Sequence, residues 1–396
     1  MKVNKITSTF FLALTLFGCD DTQYSDPHVM PVKVSGVQVS NVYRVRQLSD
    51  GTVALPVNDS DGNVKIAKVR RDGSVWYSDA FATPVHGFSV NASGECLVYW
   101  VSYDDFNDVV VENMHVIKID RLGKVVFEGE KILEQGMEFR EPVLHENGEI
   151  EYIIREHNGY NWDLDEEKFL LKRGFFGSSF VQFIDADYYL QQAFLFDSNW
   201  FAVKNSNCHF YIYDAEGLMT GDGELPALVE SLKYIDGHLY IIASGKEDDV
   251  EEGSKDELES GGAKSWVIKM DTFGHQVYSI KIDASIINLT VSDGKVYVTG
   301  STKDDNPQSK RDGAIFVLDD VSGGIMSTVT MSYNGCEIIP LVISPDQNGE
   351  YDIFATRRED YSGFIDFGEY ASNDVLNTGQ LFVLHIDDLG KLDIKN

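Results

Sequence analysis

The sequence predicts an all-β chain folded as a β-propeller of seven four-stranded blades, with six or eight blades as the alternatives. Three observations carry that expectation. A hairpin unit, Asp-Gly followed by alternating apolar residues, recurs seven times, and a second turn built on Asp-x-x-Gly follows each copy. No segment keeps a helical period beyond a turn or two. Strand, turn, strand, loop, strand, turn, strand, at a period of about 50 residues, is one propeller blade. A β-sandwich would not repeat the same two turns in the same order.

The first unit is clearest in VSDGKVYVTGS, 291–301. Asp-Gly between alternating runs is a strong hairpin signal, because a two-residue type I′ turn needs positive φ at both central positions. The unit returns as LSDGTVALPV, NASGECLVYW, HENGEIEYII, FDSNWFAVK, YIDGHLYIIASG and DQNGEYDIFA. The fourth copy lacks glycine, and its turn is expected at Ser198-Asn199. The second unit is clearest in VIKIDRLGKVVF, WVIKMDTFGHQVYSI, FYIYDAEGLM and LFVLHIDDLGKLDI. IAKVRRDGSVWY, IFVLDDVSGGIM and FLLKRGFFGSSFV are its weaker forms.

Ahead of the blades, VKVSGVQVS (32–40) alternates like a strand. It is expected to pair with the last blade and tie the chain's ends together, removing an exposed edge. The domain plan is therefore a leader at 1–18, a flexible tether at 19–31 and a single propeller at 32–396.

The leader carries the address. Lys2 and Lys5 precede a short apolar run, 9–17, that ends in Leu16-Phe17-Gly18-Cys19. That ending resembles the bacterial lipobox. The resemblance implies a diacylglycerol on the Cys19 sulfur, cleavage before Cys19 and acylation (palmitate among the acyl groups) of the new amino group. Each buried methylene contributes ~0.8 kcal/mol, so several chains hold a folded domain stably at a membrane. Asp20 and Asp21 read two ways by resemblance to known sorting signals: retention at an inner membrane, or export toward a cell surface. The expected location is the cell envelope, with the outer membrane favoured over the inner.

Charge narrows the partners. The chain's formal charge is -31, and losing Lys2 and Lys5 with the leader takes it to -33. So acidic a surface repels nucleic acid and anionic headgroups. Cys96, Cys208 and Cys336 remain besides Cys19, an odd and scattered set that suits free thiols, buried at Cys96 and Cys208, better than a disulfide framework.

The repeat also resembles lipoprotein propellers of the delta-60 and quinoprotein-like class. VYVTGS with AIFVLDD, and LYIIASG with WVIKMDTFG, carry the likeness, which runs from about residue 41 to the end. The quinoprotein variant places a tryptophan just beyond the turn. Only Trp76 matches that here, so no quinone, and no other cofactor, is expected.

Blade geometry sorts the loops. The first and third connections of a blade emerge on one face of the disc, the second connection and the interblade link on the other. Nearly all insertions fall in second connections: 102–108, 156–168, 245–265, 301–313 and 357–379. Irregular loops on a rigid scaffold are the default binding site. Tyr103, Asp104, Phe106, Tyr160, Trp162, Asp163, Tyr361 and Phe364 are the candidate ligand-binding residues. Flat apolar rings with carboxylates among them suit a sugar or a peptide. The 245–265 insertion, rich in charge, glycine and serine, reads instead as a solvated tip. NDSDGN (58–63) places Val57 and Lys68 where an EF-hand needs its first and twelfth ligands, so it reads as a hairpin turn and no metal site is expected. No nucleophile elbow or zinc motif is present.

Three functions fit: a noncatalytic binding or scaffold lipoprotein for an envelope protein or glycan, a carbohydrate hydrolase with paired carboxylates from different blades, and an envelope assembly factor resembling the propeller lipoprotein of the outer-membrane barrel machinery. The first is favoured.

Overall fold

A computed structural model describes residues 29–39, 44–59, 61–81, 85–106, 109–132, 137–161, 166–176, 181–184, 192–197, 199–204, 208–245, 264–302, 312–333, 336–346, 349–358, 379–386 and 389. It is the seven-bladed propeller that the repeats predict. After β1 (Val29–Val39), blade 1 holds β2 (Arg46–Gln47), β3 (Val53–Asn58), β4 (Val64–Val69) and β5 (Val75–Tyr77). Blade 2 holds β6 (Gly87–Val90), β7 (Cys96–Phe106), β8 (Val109–Ile119) and β9 (Val125–Ile132). Blade 3 holds β10 (Met137–Leu144), β11 (Ile150–Asn161), β12 (Glu166–Phe175) and β13 (Val181–Ile184). Blade 4 holds β14 (Gln192–Phe196), β15 (Asn199–Lys204), β16 (His209–Tyr213) and β17 (Met219–Glu224). Blade 5 holds β18 (Leu228–Ile235), β19 (His238–Gly245), β20 (Lys264–Asp271) and β21 (Gln276–Ile282). Blade 6 holds β22 (Ser285–Ser292), β23 (Lys295–Thr302), β24 (Asp312–Asp319) and β25 (Ile325–Tyr333). Blade 7 supplies β26 (Cys336–Pro345), β27 (Tyr351–Arg358) and β28 (Gly379–Ile386).

The fourth strand of blade 7 is β1. It pairs antiparallel with β28, from Val29 opposite Ile386 to Val39 opposite Gly379. The expected closing strand is therefore present. It begins at Val29, so the sheet takes in Val29, Met30 and Pro31, which the sequence reading assigned to the tether. Blades 6 and 7 are further joined where Ser332 and Tyr333 pair with Glu337 and Cys336.

The core lies between blades. Residues 53–57 on β3 are all buried because each blade is covered on both faces by its neighbours. Ala54 and Ile66 of blade 1 pack with Cys96, Val98 and Ile117 of blade 2. Val34 of β1 packs with Leu55 of blade 1 and Phe354 of blade 7, so closure also buries apolar surface. Within that core burial pushes the Cys96 thiol up to about 11, a protonated, unreactive group. Cys208 is partly buried.

The turns are tight as expected, but their types differ. Asp236-Gly237 and Asp293-Gly294 have both φ values positive, the two-residue type I′ turn. In blades 1, 2, 3 and 7 only the glycine is positive (Gly51, Gly94, Gly148, Gly349). There a three-residue loop closes between Leu48 and Thr52, Asn91 and Glu95, His145 and Glu149, and Asp346 and Glu350. In blade 4, Phe196 pairs with Asn199, so Asn199 stands in strand β15 and not in the turn expected at Ser198-Asn199. Asp197 holds φ 41 there. Asparagine closes the ladder instead of making the bend.

A recurring clamp joins the blades on the short-turn face. In blades 1, 2, 3 and 5 the cation near the end of the third strand reaches the next blade's turn carbonyl, whereas blades 4 and 6 carry Ile212 and Val317 at the matching position. Lys68 Nζ donates to Gly94 O at 2.7 Å and to Arg121 O at 3.3 Å. Lys118 Nζ donates to Gly148 O at 3.1 Å, and Lys269 Nζ to Asp320 O at 2.9 Å. Arg173 Nη1 donates to Ala215 O at 3.4 Å while its Nε pairs with Glu151 at 2.5 Å. Blade 7 reverses the direction: Arg71 of blade 1 pairs with Asp352 at 2.9 Å, and His385 bonds the same carboxylate.

Aromatic rings complete the joint by lying on the next blade's turn glycine. Trp76 of blade 1 covers Gly123 of blade 2, and Tyr278 of blade 5 covers Gly323 of blade 6. A Cβ at Gly123 would sit 1.8 Å from the Trp76 ring, and the residue holds φ +81. Gly237 has a similar φ of +79 with nothing within 4 Å. Gly237→Ala should therefore cost ~1 kcal/mol of backbone strain. Gly123→Ala should also displace the indole and cost ~2–3 kcal/mol, read as urea-unfolding midpoints of the two variants. Equal losses would show that the ring contact contributes nothing.

Candidate functional site

With one face occupied by clamps and tight turns, the opposite face carries the variation. Blade 1 is short here: β3 ends at Asn58 and β4 begins at Val64. The loop between them closes as a turn, with Asp59 N donating to Asn63 O and Gly62 N to Asp59 O, the hairpin reading of NDSDGN.

Blade 2 rises past it. The segment 102–106, read from the sequence as part of a loop, is strand: β7 pairs with β8 up to Phe106 opposite Val109. Tyr103 pairs with Glu112 and Asp104 with Val111. Blade 3 does the same, and Tyr160 lies in β11 opposite Glu167. The insertions in these two neighbouring blades are thus extended hairpins. The β-branched run Val109-Val110-Val111 favours strand over loop. Trp162, Asp163, Tyr361, Phe364 and Cys19 lie outside the described residues.

The height difference between blades 1 and 2 leaves a step. Cys96 and Val98 on β7 and Ile117 on β8 are buried against blade 1. Further along the same strand face stand Trp100, which packs against the edge of that shared cluster, and Ser102 and His115, each only partly buried. Trp100 and His115 stack, ring centroids 4.8 Å apart and planes 10° from parallel. Ser102 Oγ and His115 Nε2 are hydrogen-bonded at 2.9 Å. Behind β7, Val101 N donates to His86 Nδ1 at 2.9 Å. Burial, then the nearby charge of Arg44, lowers the basicity of His86. The step offers a flat aromatic wall, an imidazole and a hydroxyl. Such a wall stacks a sugar or peptide face and exchanges hydrogen bonds with it.

Sequence reasoning did not select Trp100, Ser102 or His115 as site residues. The signal was present as unequal hairpin length: six residues in the blade 1 loop, NDSDGN, beside the longer insertion of blade 2.

The inner strands hold a second unforeseen group. Lys233 on β18 donates to Asn288 Oδ1 and to Leu289 O, both at 2.7 Å, on the inner strand of blade 6. Burial, then the charge of Arg46 on the inner strand of blade 1, pushes Lys233 down to about 7. Nearby, Thr290 Oγ1 donates to Gln47 Oε1 at 3.0 Å, bringing blades 6 and 1 together across the innermost strand of blade 7. Among the described residues no cluster of three or more histidine, cysteine or carboxylate groups is arranged to hold a metal. No helix among them is long and apolar enough to cross a membrane.

No protein-family model matches the chain, and no curated protein matches it. Several solved structures are similar in shape. BamB from Moraxella catarrhalis aligns over 86% of this chain and 81% of its own at 9% identity and TM-score 0.42. A protein of unknown function from Bacteroides caccae aligns over 69% and 92% at 12% identity and TM-score 0.41. The β-propeller domain of the Trilobed protease from Pyrococcus furiosus aligns over 73% and 82% at 13% identity and TM-score 0.42. These likenesses concern the fold.

The lysine makes a pH prediction. Between about 7 and its unfolded value near 10.4 the unfolded chain holds a proton on Lys233 that the folded chain has lost, so stability rises with pH across that window. Wild type should gain stability relative to Lys233→Met from pH 7 to pH 9.5, measured as urea midpoints. A pH-independent difference would place the Lys233 basicity in the ordinary range.

Proposed function

We propose that the chain is a lipid-anchored cell-envelope protein whose propeller, acting without catalysis, holds an envelope protein or a glycan on its long-hairpin face. The observation that carries the reading is the step beside blade 1. Its stacked Trp100 and His115 and the Ser102 hydroxyl stand on rigid strands, so little ordering entropy is lost on binding. The extended hairpins bearing Tyr103, Asp104, Phe106 and Tyr160 supply further surface in blades 2 and 3. The insertions with Trp162, Asp163, Tyr361 and Phe364 belong to the same proposal from sequence alone. The anchor is assigned to Cys19, with the outer membrane favoured as its location.

Pull-down from envelope extracts, followed by isotherms with the captured partner, tests the binding reading. Trp100→Ala should weaken the captured interaction by ~2 kcal/mol with native circular dichroism, as removal of a buried aromatic anchor does. Ser102→Ala, which removes only a hydroxyl and leaves the Trp100–His115 stack in place, keeps the test independent of any packing loss at Trp100. Unchanged isotherms for both variants would remove the step from the site. A captured outer-membrane barrel component would favour the assembly-factor reading, and turnover of a captured glycan the hydrolase.

The anchor has its own test. Cys19→Ser should abolish lipid labelling and release the chain from membranes. Unaltered processing and membrane fractionation would sink the lipobox reading.

A further inference from the structure

We infer that the short-turn face is the membrane face, and that it rests on a zwitterionic lipid surface through apolar side chains at its turn tips. The orientation rests on the Cys19 anchor proposed above. The contact rests on separate observations.

The first is where the chain joins the disc. Val29 pairs with Ile386, and Val39 pairs with Gly379 at the other end of the strand. Tyr351, the first residue of β27 after the Gly349 turn, also pairs with Ile386. Val29 therefore lies at the short-turn face, and β1 runs from there toward the long-hairpin face. Cys19 precedes Val29 by ten residues, which span at most ~36 Å when fully extended. The 11 residues of β1 cover about the same height. An anchor in a membrane beyond the long-hairpin face would need the whole tether drawn taut along the rim, with nothing left over. An anchor beside the short-turn face needs no such extension.

The second is what that face exposes. Leu122 in the third turn of blade 2 is 68% exposed, Phe273 in that of blade 5 is 58% and Val321 in that of blade 6 is 78%. Leu218, just beyond the blade 4 turn, is 66% exposed. Four blades thus present an apolar side chain near the corresponding point of the hairpin. Hairpin closure does not require this: blade 1 carries Asp72 in its turn, and Glu216 precedes the blade 4 glycine. Single leucine or phenylalanine side chains bind lipid weakly. A covalent anchor raises their effective concentration at the bilayer, and a second weak signal then fixes orientation. The carboxylates around the tips and the overall charge of -31 select against anionic headgroups, leaving a zwitterionic surface as the partner.

The test places an azide-bearing residue for fluorophore attachment at Glu216 or at Asp61 of the full chain. Glu216 is on the short-turn face in blade 4, away from blade 7 across the ring. Asp61 is in the blade 1 turn of the opposite face. The chain is bound to zwitterionic nanodiscs carrying a headgroup quencher, in two arms. One arm uses protein purified from membranes with its own lipid. The other couples Cys19 to a maleimide lipid in a Cys208→Ala, Cys336→Ala background. The Glu216 label should be quenched at least threefold more than the Asp61 label. Joint replacement Leu122→Ser, Leu218→Ser, Phe273→Ser and Val321→Ser should remove that difference while the chain stays bound. Equal quenching, preferential quenching at Asp61, or no quenching at either position as in an edge-on disc, would overturn the orientation. Quenching unaffected by the serine replacements would overturn the lipid contact. Success only in the coupled arm would sink the natural anchor and leave the face's affinity for lipid standing.

Discussion

A lysine or arginine on the third strand of one blade, bonded to a turn carbonyl of the next, fixes four of the seven blade junctions, and the Arg71–Asp352 pair fixes the one that closes the ring. Blades are sheets with two apolar faces, and apolar packing alone leaves their sliding and tilt weakly specified. The buried ammonium of Lys68 or Lys269 removes that freedom, because an unpaired charge in such a site is costly. It finds its acceptor only when the next blade's turn is in register. The acceptor is backbone, so the turn has to be tight and correctly shaped. That requirement explains the aspartates: Asp120 accepts from Lys124 N, and Asp271 from Phe273 N and His275 N, each fixing its turn's path. Rings such as Trp76 then close over the turn glycine.

Once one face is committed in this way, length variation is confined to the other. Among the described residues the clamps all lie on the short-turn face, and the second connections carry the insertions. In blades 2 and 3 the insertions grow as paired strands, which satisfies their backbone groups without a surrounding scaffold. The step beside blade 1 follows from this growth. A short blade next to a tall one uncovers a strand face that would otherwise be core, and Trp100 and His115 stand where Val98 and Ile117 would give way to solvent. Binding chemistry and fold thus share the same strands. Closure by β1 adds direction, because it fixes the face from which the tether leaves.

The fold was legible because its signals are local. Asp-Gly and Asp-x-x-Gly turns, alternation and the strand at 32–40 each follow from backbone preferences that act within a few residues. What was missed depends on partners distant in sequence. Four of the Gly-containing hairpins use a three-residue loop, a choice set by where Leu48 or Asn91 meets its cross-strand partner. Asn199 stands in the strand and not in the turn because its pairing with Phe196 sets the register. Tyr103 and Phe106 were read as loop residues although their neighbours could extend the ladder. Of the candidate site, the face was legible and the step was not: the place of Trp100, at the edge of the cluster shared by blades 1 and 2, depends on residues distant in sequence. Lys233 has no local signal at all, since its environment comes from Asn288, Leu289 and Arg46.

The central claim is a division of labour between the faces, and photo-crosslinking in intact cells tests it most directly. A photoreactive residue would be placed at Ser102 on the step, at Tyr160 in the blade 3 hairpin, or at Asn147 in a short turn. The account predicts a discrete protein or glycan adduct from Ser102 and Tyr160, and none from Asn147. The same adduct from Asn147, with none from the other two, would contradict it.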